Sequence, residues 1–259
     1  MPITTSFDPY SPAVITAEQM IQARPGTGFP DTMIVTFQPR TFAVFIEQYD
    51  TMPLPGIYLE EEVDSPSPVQ VGKAYAFEYD SHALACCLAS PGAPGTVAML
   101  EKAIAYGVDK FVVFGSCGSL VARAAEIIVP SEAYRDEGTS YHYAPASDYI
   151  PIPSSAKTAS ILTTLGVPHT LAKVWTTDGF FRETQANMAK RVAEGCVAVD
   201  MEASALAGLA QFRGVAIHHF MWTADSLSEE GWDPRTLAKL PAEPRARYLR
   251  IAMDIAVRL

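Results

Sequence analysis

From residue 31 to the C-terminus, short apolar runs of strand type alternate with segments of helical spacing. Strands are expected at Met33–Phe37, Lys73–Tyr79, His82–Ala89, Phe111–Phe114, Ile127–Tyr134, His169–Thr176, Val197–Val199 and Ala216–Thr223. Helices are expected at Arg40–Tyr49, Thr96–Tyr106, Ala156–Leu165, Glu183–Glu194, Glu202–Phe212 and Arg245–Arg258, several of them closed by a glycine such as Gly107, Gly166 or Gly214. Alternation of this kind leaves few choices. The apolar strands need cover on both faces, so the chain is expected to be α/β, with a central, largely parallel sheet and helices on either side. No repeat or linker interrupts residues 31–259, which read as one domain; residues 1–30, rich in Pro, Thr and Ser, read as an arm. Residues 51–70, with Pro53, Pro55, Pro66, Pro68 and a group of acids, read as a loop with one short strand at most.

The 259 residues suffice for a large core, and 49% hydrophobic against 19% charged residues excludes broad disorder. Ten more acids than bases, a formal charge of −10, argue against nucleic acid or an anionic membrane as the main partner. Small anions remain possible, because local arginines or backbone N–H groups can hold a phosphate. The four cysteines, Cys86, Cys87, Cys117 and Cys196, form no C-x-x-C pair and lie in apolar runs, which fits reduced core thiols. No basic segment followed by an apolar one opens the sequence and no apolar run approaches the length of a bilayer, so a cytoplasmic location is expected.

In open α/β sheets ligands sit beyond the carboxyl ends of strands. Four polar segments lie there: Gly115–Gly118, Arg135–Tyr143, Thr176–Glu183 and Thr223–Ser226. Gly115-Ser116-Cys117-Gly118 lets backbone approach a ligand closely and offers N–H and hydroxyl donors to an anion, although such a turn also serves structure alone. Asp200-Met201-Glu202 opens a helix after a strand, where a carboxylate either accepts hydrogen bonds from a vicinal diol or complements the helix dipole. Phe180 is either a core ring or a stacking platform. Asp225, beside Trp222 and an apolar run, is either a loop or capping residue or a general acid with a raised pKa.

Taken in order, Phe114–Gly118, Arg135–Tyr143, Thr176–Phe181, Asp200–Ala203 and Thr223–Asp225 resemble the nucleoside phosphorylase superfamily, which includes uridine phosphorylases, hexameric purine nucleoside phosphorylases and nucleosidases. The resemblance covers roughly residues 31–259. It implies a three-layer α/β/α sandwich around a mixed, largely parallel sheet, assembled as a homo-oligomer, dimer or hexamer. It also implies cleavage of an N-glycosidic bond, with inorganic phosphate as co-substrate and neither an organic cofactor nor a metal. By the same resemblance Gly115 and Ser116 bind phosphate, Met201 packs on the sugar, Glu202 takes the ribose hydroxyls and Phe180 stacks on the base. Asp225 protonates N7 of a leaving purine, with Arg235 as a possible proton shuttle.

The sequence also departs from that pattern. Val113 stands where phosphorylases place an arginine, and Gln38-Pro39-Arg40 only partly matches their N-terminal phosphate-binding turn, leaving Arg40 as the candidate phosphate ligand. The Gln and Arg that clamp uracil after the stacking aromatic are absent from Phe181-Arg182-Glu183-Thr184-Gln185, which argues against uridine, while Asp225 matches the purine-cleaving members. Asp200 replaces the usual first Glu of the ribose motif. Phosphorolysis is expected, with hydrolysis by water as the alternative.

Overall fold

The computed structural model describes residues 2–21, 28–57, 67–121, 123, 126–228, 230–237 and 242–259. Its elements are α1 (Ala17–Ile21), β1 (Thr32–Thr36), α2 (Pro39–Gln48), β2 (Met52–Pro53), β3 (Ala74–Tyr79), β4 (His82–Leu88), α3 (Ala93–Ala105) and β5 (Lys110–Ser119). They continue as β6 (Ile127–Asp136), α4 (Ser140–Tyr143), β7 (Tyr149–Pro151), α5 (Ser155–Thr164), β8 (His169–Thr177), α6 (Gln185–Ala193), β9 (Cys196–Asp200), α7 (Ala203–Arg213), β10 (Ala216–Ser228), β11 (Gly231–Asp233) and α8 (Ala242–Ala256).

Every strand and helix expected from periodicity is present, with shifted ends. Among the described residues, the segment read as an irregular arm carries a 3₁₀ turn at Pro2–Thr5 and helix α1. Much of the segment read as a loop at 51–70 lies outside the described residues; of the remainder, Met52–Pro53 pairs with β3.

The sheet is mixed, and one part of it closes on itself. β5 pairs in parallel with β10, β10 antiparallel with β6, β6 in parallel with β8, β8 in parallel with β9, and β9 antiparallel with β5. These five pairings form a small barrel. An open wing leaves it through β1, β4, β3 and β2.

Side-chain alternation explains the layers. In β1, Ile34 points into the core beneath α2, α5 and α8, while Met33 and Val35 point into the core beneath α3 and α7. β5 divides in the same way, with Val112 and Phe114 on one side and Phe111 and Val113 on the other. Strands apolar on both faces are what a sheet covered twice requires. All four cysteines are buried and free. Among the described residues no helix is long and apolar enough to cross a membrane.

Candidate active site

A cavity of about 260 Å³ opens where the barrel meets the wing. Five residues singled out in the sequence line it: Ser116, Phe180, Met201, Glu202 and Asp225. Phe37, Gln38, Pro91, Glu183, Asp200 and Leu237 also contribute to its walls. The ends of β8 and β9 reach β5 and β10 because β9 pairs antiparallel with β5, Gly118 opposite Val199, as the barrel closes.

Gly115–Gly118 is not the strand-end turn expected from sequence. β5 runs through it to Ser119, with Gly115 opposite Met221 and Gly118 opposite Asp225. The glycines answer to crowding from neighbouring strands and loops. A Cβ at Gly115 would stand 2.8 Å from Phe37 Cδ2, and one at Gly118 would stand 2.7 Å from Leu227 Cδ1 and 2.9 Å from Val199 Cγ1. The register of β5 against β10 slips between Thr223 and Asp225, a bulge that re-aims the Asp225 side chain.

The two acids of the ribose-type motif divide the work. Asp200 Oδ2 accepts the backbone N–H groups of Glu202 at 2.9 Å and Ala203 at 2.7 Å, so Asp200 satisfies the open donors at the start of α7. Its Oδ1 accepts Thr176 Oγ1 at 2.7 Å. Glu202 is thereby free of capping. Its Oε1 accepts Gly92 N–H at 2.6 Å, delivered by a backbone with φ of 99°, a conformation suited to glycine. Burial raises both carboxyls above the usual range, and the Asp200 charge raises Glu202 further.

Asp225 is buried, and burial raises its pKa; Trp232 Nε1–H, which donates to Oδ2 at 2.7 Å, and the nearby Arg235 charge oppose that rise. Arg235 adopts φ of 37°, and its Nη1 is buried without a hydrogen-bond partner. Glu183, on the loop between Phe180 and α6, is pushed up to about 7, first by burial and then by the Asp225 charge. Phe180 is 42% exposed and Phe181 92%, so neither is a core ring. Phe180 meets Phe181 edge-on at 4.9 Å, and only Phe180 lines the cavity.

Three expected contributors lie outside the wall, the first being Gly115, which sits within β5 and does not line the cavity. Arg40 is exposed, does not line the cavity, and sits near Arg245, whose pKa is lowered by burial and then by the Arg40 charge. Arg135–Tyr143, expected to converge on the pocket, contributes no wall residue. Arg135 spends its guanidinium on Ser140 Oγ, Ser147 Oγ and the carbonyls of Ala144 and Pro145, and lies over the Tyr141 ring. Glu137 accepts Ser140 N–H and Ser204 Oγ–H, tying α4 to α7. This segment therefore braces the helix that presents Glu202.

Sequence reading placed Glu183 at the end of a strand-end segment and Gln38 in the partial phosphate turn without giving either a role, and did not include Trp232. Glu183 could have been noticed from its place three residues after Phe180. Nothing in the sequence ties Trp232 to Asp225, since their contact depends on β11 folding back on β10.

The charged residues lining the cavity are Glu183, Asp200, Glu202 and Asp225, with no Lys, Arg or His among the described lining residues. Such a site resists a free anion and favours positive charge developing on a bound molecule.

A family model described as the Phosphorylase superfamily matches residues 32–247. An uncharacterized protein, R802, of Acanthamoeba polyphaga mimivirus is 27% identical over 143 residues, covering 54% of this chain and 56% of that protein. The chain thus spans little more than half the length of this curated relative. The crystal structure of an AMP nucleosidase from Bacteroides thetaiotaomicron VPI-5482 superposes with a TM-score of 0.70 at 14% identity, covering 94% of this chain and 98% of that one.

Proposed function

Since the chain belongs to the phosphorylase superfamily, we propose that it cleaves the N-glycosidic bond of a purine nucleoside, with water receiving the ribosyl group. The observation that carries the choice of water is the acidic wall of the cavity, four carboxyls and no cation among its described lining residues. A phosphate dianion entering there would find none of the charge-assisted bonds that normally hold it, and each carboxyl that is ionised would repel it. The expected phosphate ligand Arg40 lies away from the wall, and Arg135 is consumed in the brace. Water meets no such obstacle. The neighbouring structure named as a nucleosidase has the same fold.

In this reading Glu202 accepts the ribose hydroxyls, Met201 packs on the sugar and Phe180 on the base, and Asp225 in its acid form donates to N7. As the C1′–N9 bond lengthens, the ribose gains positive charge, which the surrounding carboxyls stabilise more in the transition state than in the ground state. Ser116 remains a polar wall residue able to hold the attacking water.

The experiment is incubation with a nucleoside panel, with and without phosphate, scored for free base, ribose and ribose 1-phosphate. Base and ribose released at a rate indifferent to phosphate is the expected result. Ribose 1-phosphate formed only when phosphate is present would replace water with phosphate as acceptor. Release of no base from any nucleoside would overturn both.

A further inference from the structure

We propose that Glu183 reads the 6-substituent of the purine and selects a 6-amino over a 6-oxo base, an inference that rests on the purine-cleaving reading above. Glu183 and Asp225 line the same cavity, and Phe180 enters its wall from the same short loop as Glu183. A base against Phe180 therefore shares its cavity with both carboxyls.

Two carboxyls that share a buried site do not both ionise cheaply, so one proton is shared between them at neutral pH. The surrounding charges fit this. Asp225 is raised by burial and lowered by Trp232, with Arg235 and Asp233 acting in opposite directions, and no described lining residue offers Glu183 a cation. The titration follows the geometry: Glu183 is raised by burial and by Asp225. A pair with one proton presents one donor and one acceptor.

A purine offers a matching edge in only one of its common forms. In a 6-aminopurine N7 accepts and the 6-amino group donates, whereas in a 6-oxopurine N7 and O6 both accept. The Asp225 charge raises Glu183, so the free site keeps the proton on Glu183. A 6-aminopurine, whose N7 needs a donor and whose 6-amino group needs an acceptor, draws that proton to Asp225, and the Glu183 carboxylate then accepts from the 6-amino group and repels O6. When the C1′–N9 bond breaks, its electron pair passes into the ring and N7 takes the proton of Asp225. The water oxygen bonds to C1′, and the proton that water sheds leaves to solvent, from which Asp225 is reprotonated. Glu183 gains and loses no proton in this step; it determines which base occupies the site.

The test is Glu183→Gln, because the amide can donate to O6. Measured on adenosine and inosine, wild-type kcat/KM should favour adenosine, and the variant should lower that preference by about 10-fold or more, the scale of one charged hydrogen bond. Glu183→Ala should weaken adenosine and improve inosine less than Glu183→Gln does, because it removes the repulsion of O6 without supplying a donor. Calorimetric binding of free adenine and hypoxanthine gives a readout that does not need turnover. If no nucleoside is cleaved yet Glu183→Gln shifts binding from adenine toward hypoxanthine, the catalytic reading falls and the specificity role stands. If both ratios stay within about twofold of wild type, Glu183 does not read the base.

Discussion

Trp232 Nε1–H donates to Asp225 Oδ2 at 2.7 Å, and the contact is built by the β10–β11 hairpin, which sets Trp232 opposite Leu227, two residues beyond Asp225. An exposed indole on a three-residue strand thus modulates a buried carboxyl of the site. The bond favours the charged form of Asp225 and counters the rise caused by burial.

Trp232→Phe removes that donor. Asp225 should then hold its proton to higher pH, so the alkaline limb of the kcat/KM profile should move upward while activity near neutrality persists. A pH–rate series on wild type and variant checks this; superimposable limbs would show that Asp225 is not the group being read.

Asp225→Asn removes the acid itself. On a 6-aminopurine nucleoside kcat should fall by roughly 10²–10⁴-fold, the usual range for general acid catalysis. A 7-methylated purine nucleoside already carries the charge that protonation would supply, so its loss should be much smaller. Equal losses on both substrates would mean that Asp225 positions the base or holds the bulge.

Glu202→Gln keeps an oxygen for Gly92 N–H but turns an amide donor toward the ribose, whose hydroxyls must donate. The expected loss in kcat/KM on ribonucleosides is roughly 10–100-fold, the scale of a charged hydrogen bond. On 2′-deoxynucleosides it should be smaller, and identical losses on the two sugars would remove the 2′-hydroxyl from the role of Glu202.

Gly118→Ala places a methyl group 2.7 Å from Leu227 Cδ1, 2.9 Å from Val199 Cγ1 and 3.5 Å from Asp225 Oδ1. Overpacking of this kind costs about 1–3 kcal/mol and displaces the side chains it meets. The variant should unfold at lower temperature and lose activity beyond what its folded fraction explains. Wild-type kcat in the folded fraction would show that the site tolerates the shift.

Two buried histidines set an acid limit. Burial brings His218 down to about 4, with Lys157 adding to the shift, and brings His219 down to about 3. As pH falls through the unfolded-state value of about 6.5, the unfolded chain takes up protons that the folded chain refuses until about 4 or below. Stability present above that value should drain away on acidification, by at most ~1.4 kcal/mol per pH unit for each histidine. Glu183 acts oppositely: its folded value near 7 exceeds its ordinary 4.5, so its contribution is full below 4.5 and lost as pH rises toward 7. His219→Phe isolates one histidine. Urea unfolding from pH 7 to 4 should show a shallower pH dependence for the variant, and equal slopes would rule out His219 as a linked group.

The sequence by itself determined the order and type of the main elements. Strand runs apolar on both faces, such as Met33–Val35 and Phe111–Phe114, demand helices on either side, and that demand is local. It also marked Ser116, Phe180, Met201, Glu202 and Asp225, because their types follow apolar runs in an ordered set. Only the tertiary structure decided which acids and cations share the cavity. Asp200 and Glu202 are two residues apart and both line the cavity, yet Asp200 caps α7 while Glu202 does not, a division fixed by backbone N–H directions. Arg40 follows the wall residue Gln38 by two positions but lies outside the wall, because α2 begins at Pro39 and carries it off toward Arg245. Glu183 and Asp225, 42 positions apart by their numbering, come to line one cavity through barrel closure, and β11 brings Trp232 onto Asp225. Periodicity reports which face of an element is buried; which charges then stand together depends on strand order, a bulge and a hairpin, and these are set by pairings between distant segments.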